Sequence, residues 1–98
     1  MSATGDNGFW RLRLYIAGGS PRSMAALASL RKLCEEYLPG RHELEVIDLV
    51  EAPERAKADQ IVAIPTLVRQ LPPPLTKIIG DLSIKERVIV GLDIEMTA

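Results

Sequence analysis

The chain has 98 residues, is 47% apolar and 26% charged, and carries a net charge of −1. That is enough for one domain with an apolar core, and it is neither polar enough for disorder nor basic enough for non-specific nucleic-acid binding. One cysteine (Cys34) and one histidine (His42) argue against a disulfide or a Cys/His metal centre.

Residues 1–8 are polar and Gly-containing, without the basic start and apolar run of a signal peptide, and they read as a flexible tail. Nothing approaches the length of a membrane span, and a lone thiol suits a reducing cytoplasm. The rest, 9–98, reads as one domain.

In residues 9–17, Trp10, Leu12, Leu14 and Ile16 alternate with Arg11, Arg13 and Tyr15, which predicts a half-buried strand. Gly18-Gly19 breaks it. Ser20 is placed to cap a helix with Pro21 in its first turn. Met24, Leu27, Leu30, Cys34 and Tyr37 then recur at helical spacing as an inner stripe, and Pro39-Gly40 ends the helix. Residues 43–50 predict a second strand, parallel to the first across a right-handed crossover.

Pro53-Glu54 opens a short helix with Ala56 inside. Residues 61–71 predict a third strand around Pro65, and 75–81 a fourth after the triplet Pro72–Pro74. Ser83-x-x-Glu86 matches a capping box and announces a final helix. The following Val88-Ile89-Val90-Gly91 favours strand over helix, so local signals conflict within twelve residues. Pro65 is a candidate cis-proline, and Pro73 and Pro74 in the triplet are two more.

The order βαβαββα, with a proline ahead of the third strand, has the layout of a thioredoxin-like domain. The loop after the first strand, Ala17 to Ser23, holds no cysteine, so thiol–disulfide exchange by the usual route is excluded. Ser20 there is a cap rather than a glutathione site. Gly18-Gly19 resembles a phosphate cradle only in outline. Cys34 lies on an apolar helix face and reads as a small core residue. No catalytic, cofactor-binding or metal-binding residue is predicted.

Arg13-Leu14-Tyr15-Ile16-Ala17-Gly18, Val46-Ile47-Asp48-Leu49, Ala63-Ile64-Pro65-Thr66-Leu67, Leu71-Pro72-Pro73-Pro74 and Ile78-Ile79-Gly80-Asp81-Leu82-Ser83 resemble the KaiB family, as does Glu86 to Asp93. The resemblance covers about residues 10–94, and its Leu-Cys-Glu-Glu wording looks like members outside cyanobacteria. It implies a non-enzymatic clock or timing regulator that binds the N-terminal ATPase ring of hexameric KaiC. A SasA-type histidine kinase is a further partner, and KaiA is not expected. It also implies a fold-switching chain, monomeric when thioredoxin-like, with a ground-state arrangement βαββααβ that forms dimers or tetramers. On that reading 9–50 is the invariant half and 51–98 the switching half. Trp10, Gly91 and Asp93 match the positions that bias the switch. Arg22, Lys57, Gln60, Thr66, Arg69 and Lys77 are the candidate partner-binding residues, the four cations as rim charges. Gln60 stands where a lysine is common.

Overall fold

The computed structural model describes residues 8–94, so the expected tail, apart from Gly8, lies outside the described residues. Seven elements follow in chain order: β1 (Trp10–Ile16), α1 (Pro21–Tyr37), β2 (His42–Asp48), α2 (Glu54–Ala58), β3 (Thr66–Leu71), β4 (Thr76–Ile79) and α3 (Lys85–Leu92). This is the thioredoxin-like order βαβαββα. The second arrangement admitted from the sequence, βαββααβ, is corrected by it. The segment after β3 returns as a strand, Thr66 to Arg69 pairing with Ile79 to Thr76, and only then forms a helix.

The four-stranded sheet runs β2-β1-β3-β4. β1 and β2 are parallel, from Trp10 opposite His42 to Ile16 opposite Asp48, as a helical crossover demands. β3 is antiparallel to both β1 and β4, and the β1–β3 register shifts between Arg11 and Leu12.

The alternation in β1 divides the molecule into two layers. Trp10, Leu12, Leu14 and Ile16 join Leu67 beneath α1 and α3, with Ala26, Leu30, Leu33, Val88, Ile89 and Leu92 facing them. Tyr15, Ile47, Leu49, Ile61 and Val68 form a smaller cluster on the opposite face, where Ala56 of α2 packs. The α1 stripe departs from expectation mainly at its start: Ser23, Ala26, Leu30, Leu33 and Cys34 are buried, Leu27 and Tyr37 are half-buried, and Met24 is exposed.

The start of α1 is built as its residues require. Ser20 Oγ accepts from the Ser23 amide at 3.3 Å, and Pro21 occupies the first turn. Gly18 adopts φ +57°, a conformation that suits glycine. Asp48 accepts from the Gly18 and Val50 amides at 2.9 Å each, joining the turns after β1 and β2.

α3 departs most from the local signals. Its N-cap is Ile84, and no side chain caps it. The Ser83–Glu86 capping box is therefore corrected: the Ser83 hydroxyl and amide both donate to Asp81 instead. Burial of Val88, Ile89 and Leu92 outweighs the poor propensity of the β-branched run.

The helix ends in a Schellman-type turn, the Ile94 amide donating to Ile89 O and the Asp93 amide to Val90 O, both at 3.1 Å. Asp93 sits at φ +62°, in the left-handed place that glycine usually takes, and sets a carboxylate against the negative end of the helix dipole. Asp93→Gly is expected to raise stability by about 0.5–1 kcal/mol. Urea unfolding checks this, and an unchanged or lower midpoint would refute the account of the turn.

Candidate functional site

α2 has five residues and covers one part of its face of the sheet. Beside it β3 and β4 carry a shallow cleft of about 270 Å³, lined by Arg13, Tyr15, Ala58, Asp59, Gln60, Val68, Gln70, Leu75 and Lys77. Strand alternation places these groups. Arg13 and Tyr15 project from β1 away from the main core, and Lys77 stands opposite Val68 on the neighbouring strand.

Two hydrogen-bond sets fix the end of α2 against the sheet. The buried Tyr15 donates its hydroxyl proton to the Asp59 carboxylate, and Arg13 and Arg55 lie 3.8 and 3.4 Å from the same Asp59 oxygen. Lys77 Nζ donates to the carbonyls of Asp59 at 3.1 Å and Gln60 at 3.0 Å. Gln60, at φ +57°, turns the chain out of the helix. The Tyr15 hydrogen bond, helped by the two arginines, holds the Asp59 carboxyl below the usual carboxylate range. Burial, with the same hydrogen bond, pushes the Tyr15 phenol up.

Around the cleft the surface is apolar with a cationic rim. Val62, Leu75 and Ile79 are 88%, 60% and 54% exposed. Lys77 is exposed with Leu75 on the cleft wall, and Lys57 is exposed on α2. Such a surface suits contact with another macromolecule better than enclosure of a small molecule.

Of the six candidate partner-binding residues, two line the cleft, Gln60 and Lys77, and Lys57 is exposed on α2 nearby in sequence. Arg22 lies exposed in the first turn of α1, on the other face of the sheet. Thr66 is 1% exposed and donates its hydroxyl proton to Ala63 O at 2.6 Å. Arg69, expected as a rim charge, is 6% exposed and points into the main core. The reason is strand alternation: Arg69 shares the face of Leu67. It donates to Leu92 O, to Pro74 O at 3.1 Å and to Thr76 Oγ1 at 3.1 Å, and its guanidinium lies 5.5 Å from the Trp10 ring centre. Arg13, Tyr15 and Asp59 were not singled out from sequence. The alternation that sends Arg13 and Tyr15 to one face was the available signal.

The other candidates also take definite places. Trp10 lies beneath Arg69, and Asp93 ends α3. Gly91, within α3, faces β4, where a Cβ would stand 2.8 Å from Ile78 Cδ1. Cis bonds precede Pro65, Pro72 and Pro74; the bond before Pro73 is not cis. Pro65 itself is buried.

The loop after β1 spends its donors internally. The Ala17 amide reaches Ser23 Oγ at 3.1 Å and Gly18 reaches Asp48, so the outline of a phosphate cradle is not a site. Cys34 is fully buried, and burial pushes its thiol up to about 11. His42 donates from Nδ1 to Leu38 O at 2.7 Å. Among the described residues, no group of His, Cys, Asp and Glu is placed to hold a metal ion, and no helix is long and apolar enough to cross a membrane.

Comparison with known proteins agrees with this geometry. The KaiB domain family matches residues 13–94. Circadian clock protein KaiB3 of Synechocystis sp. is 51% identical over 83 residues, covering 85% of this chain and 81% of the relative. Circadian clock oscillator protein KaiB of Prochlorococcus marinus is 52% identical over 83 residues, covering 85% of this chain and 70% of the relative. Such relatives are cyanobacterial and lend no support to a placement outside cyanobacteria. Among solved structures, mitochondrial thioredoxin 3 from Saccharomyces cerevisiae superposes with a TM-score of 0.69 at 22% identity, covering 93% of this chain and 83% of that one. The N-terminal domain of Synechococcus elongatus SasA gives 0.70 at 18% identity, covering 93% and 90%. At those identities the likeness is one of fold.

Proposed function

The chain belongs to the KaiB family, and from that premise we propose that it is a non-enzymatic timing regulator that acts by docking, in its thioredoxin-like form, onto the N-terminal ATPase ring of KaiC. The observation that carries this reading is the incompletely covered sheet face beside α2. The described surface there includes the exposed Leu75 and Lys77 on the cleft wall, with exposed Val62, Ile79 and Lys57 on the neighbouring segments, and the end of α2 is held by Tyr15 on the Asp59 carboxylate and by Lys77 on two backbone carbonyls. An apolar centre supplies affinity on desolvation, and the lysines steer encounter with an acidic partner surface. Docking needs no reactive side chain, which accords with a buried Cys34 and a loop after β1 without cysteine. The chain acts in the cytoplasm as a monomer when bound. A SasA-type kinase, whose N-terminal domain has the same fold, competes for the ring.

Lys57→Glu is expected to weaken association with a KaiC hexamer about tenfold and to flatten its salt dependence, while Arg22→Glu, on the other face, changes it little. Titration by fluorescence anisotropy at two ionic strengths checks this. Equal losses in the two variants would move the docking surface away from α2. Binding to no KaiC state would favour instead a KaiB-like adaptor in another pathway, such as stress signalling.

A further inference from the structure

α2 ends in a turn that its own sequence does not favour. The Ile61 amide donates to Ala56 O at 2.7 Å and the Gln60 amide to Lys57 O at 3.2 Å, the paired bonds of a Schellman motif. Ile61 sits in the smaller core cluster with Ala56 packed against it, the apolar contact that accompanies this motif. The left-handed place in the motif falls to Gln60, at φ +57°. Glycine takes that place freely and asparagine tolerates it, whereas the Cβ of a glutamine crowds the following carbonyl. The helix cannot supply the difference. α2 has five residues, none of them buried, and no side chain caps its N-terminus.

What holds the turn comes from another strand. Lys77 on β4, 17 positions beyond Gln60, places its Nζ 3.0 Å from Gln60 O and 3.1 Å from Asp59 O. Both carbonyls lie at the C-terminal end of the helix, where the last carbonyls lack intrahelical partners and a cation is favoured. They belong to the two planar peptide units on either side of the Gln60 Cα. The mutual orientation of those units is set by φ and ψ of Gln60 alone. An ammonium that takes both oxygens at once therefore selects the left-handed conformation. Tyr15 holds the Asp59 side chain from β1, so the residue before the turn is already fixed.

We propose that Lys77 is a positioning residue for the docking surface. By joining the Asp59 and Gln60 carbonyls it sets the conformation of Gln60, and with it the direction in which the chain leaves α2. Lys57 stands before this turn and Val62 after it, both exposed. The assignment rests on docking through this face and refines it. Lys57 acts on the partner through its charge, and Lys77 acts chiefly through the shape of the turn. A rim charge alters the rate of encounter and its salt dependence, whereas misplaced contacts alter the rate of release.

A double-mutant cycle separates the two roles. Lys77→Met keeps an unbranched stem and removes the ammonium. It is expected to speed amide exchange at residues 60 and 61 about tenfold, with β1 and α1 unchanged. It is also expected to weaken association with a KaiC hexamer about tenfold, mostly through faster release and with little change in salt dependence. In the Gln60→Gly background the left-handed place forms without help, so the same substitution is expected to change both quantities less than about twofold. Exchange is read by NMR on the chain alone, and association and release by biolayer interferometry at two ionic strengths. A loss of association as large in the Gln60→Gly background as in the native one overturns the assignment and makes Lys77 a steering charge. Unchanged exchange at residues 60 and 61 overturns it as well. Should the native chain bind no KaiC hexamer while the exchange cycle runs as expected, the docking reading fails and Lys77 still sets the turn.

Discussion

Replacing Leu14 by alanine is expected to cost about 3 kcal/mol of stability, in the range for a fully buried leucine whose neighbours cannot collapse into the space. Leu14 lies on β1 between two pairing partners, opposite Val46 on one side and Leu67 on the other. It is 0% exposed and belongs to the cluster that joins the sheet to α1 and α3. With strands on both sides and a helical layer above, the backbone has little room to move inward, so most of the cavity remains. Met24→Ala, by contrast, is expected to stay within about 0.5 kcal/mol, because Met24 is exposed. Chemical denaturation of both variants checks the pair. A large loss at Met24 would mean that α1 is rotated from the arrangement described.

Tyr15→Phe is expected to cost about 1.5–3 kcal/mol near neutral pH, since it leaves a carboxylate without its buried hydroxyl donor while preserving the ring. The effect should vanish in acid. Asp59 titrates lower in the folded chain than in the unfolded one, so its contribution is present above the unfolded carboxylate pKa. That contribution is lost as pH falls through the lower folded value. At the alkaline end the phenol of Tyr15 is raised by folding. Its contribution is therefore complete below the unfolded tyrosine pKa and is lost as pH rises through the folded one. Stability of the native chain and of Tyr15→Phe should converge as pH falls through the folded Asp59 value. Comparing their urea midpoints from pH 2 to 7 checks this. A constant gap down to the lowest pH would show that packing of the phenol, not its bond to Asp59, carries the effect.

How much could be read beforehand followed from how local each feature is. β1 and α1 were legible because alternation and helical spacing are properties of a short window, and Ser20-Pro21 is a cap by residue type alone. The final helix was harder. Its β-branched run argues for strand, and the capping box that argued for helix does not form, since Asp81 takes Ser83. The helix exists because Val88, Ile89 and Leu92 find the sheet and because Arg69 reaches its end, and both facts are tertiary. Arg69 itself was misplaced by charge. A cation in a strand reads as solvent-facing, yet its two-residue spacing from Leu67 put it inside. The cleft was legible only in part. Gln60 and Lys77 came from family resemblance, whereas the Tyr15–Asp59 pair spans 44 positions and has no local sign.

The most direct test of the docking account is to mix the chain with a KaiC hexamer, once loaded with ATP and once with ADP, and to measure co-elution by size exclusion. The account predicts a complex whose amount depends on the nucleotide and falls with Lys57→Glu but not with Arg22→Glu. Independent elution of chain and hexamer in both nucleotide states would contradict it.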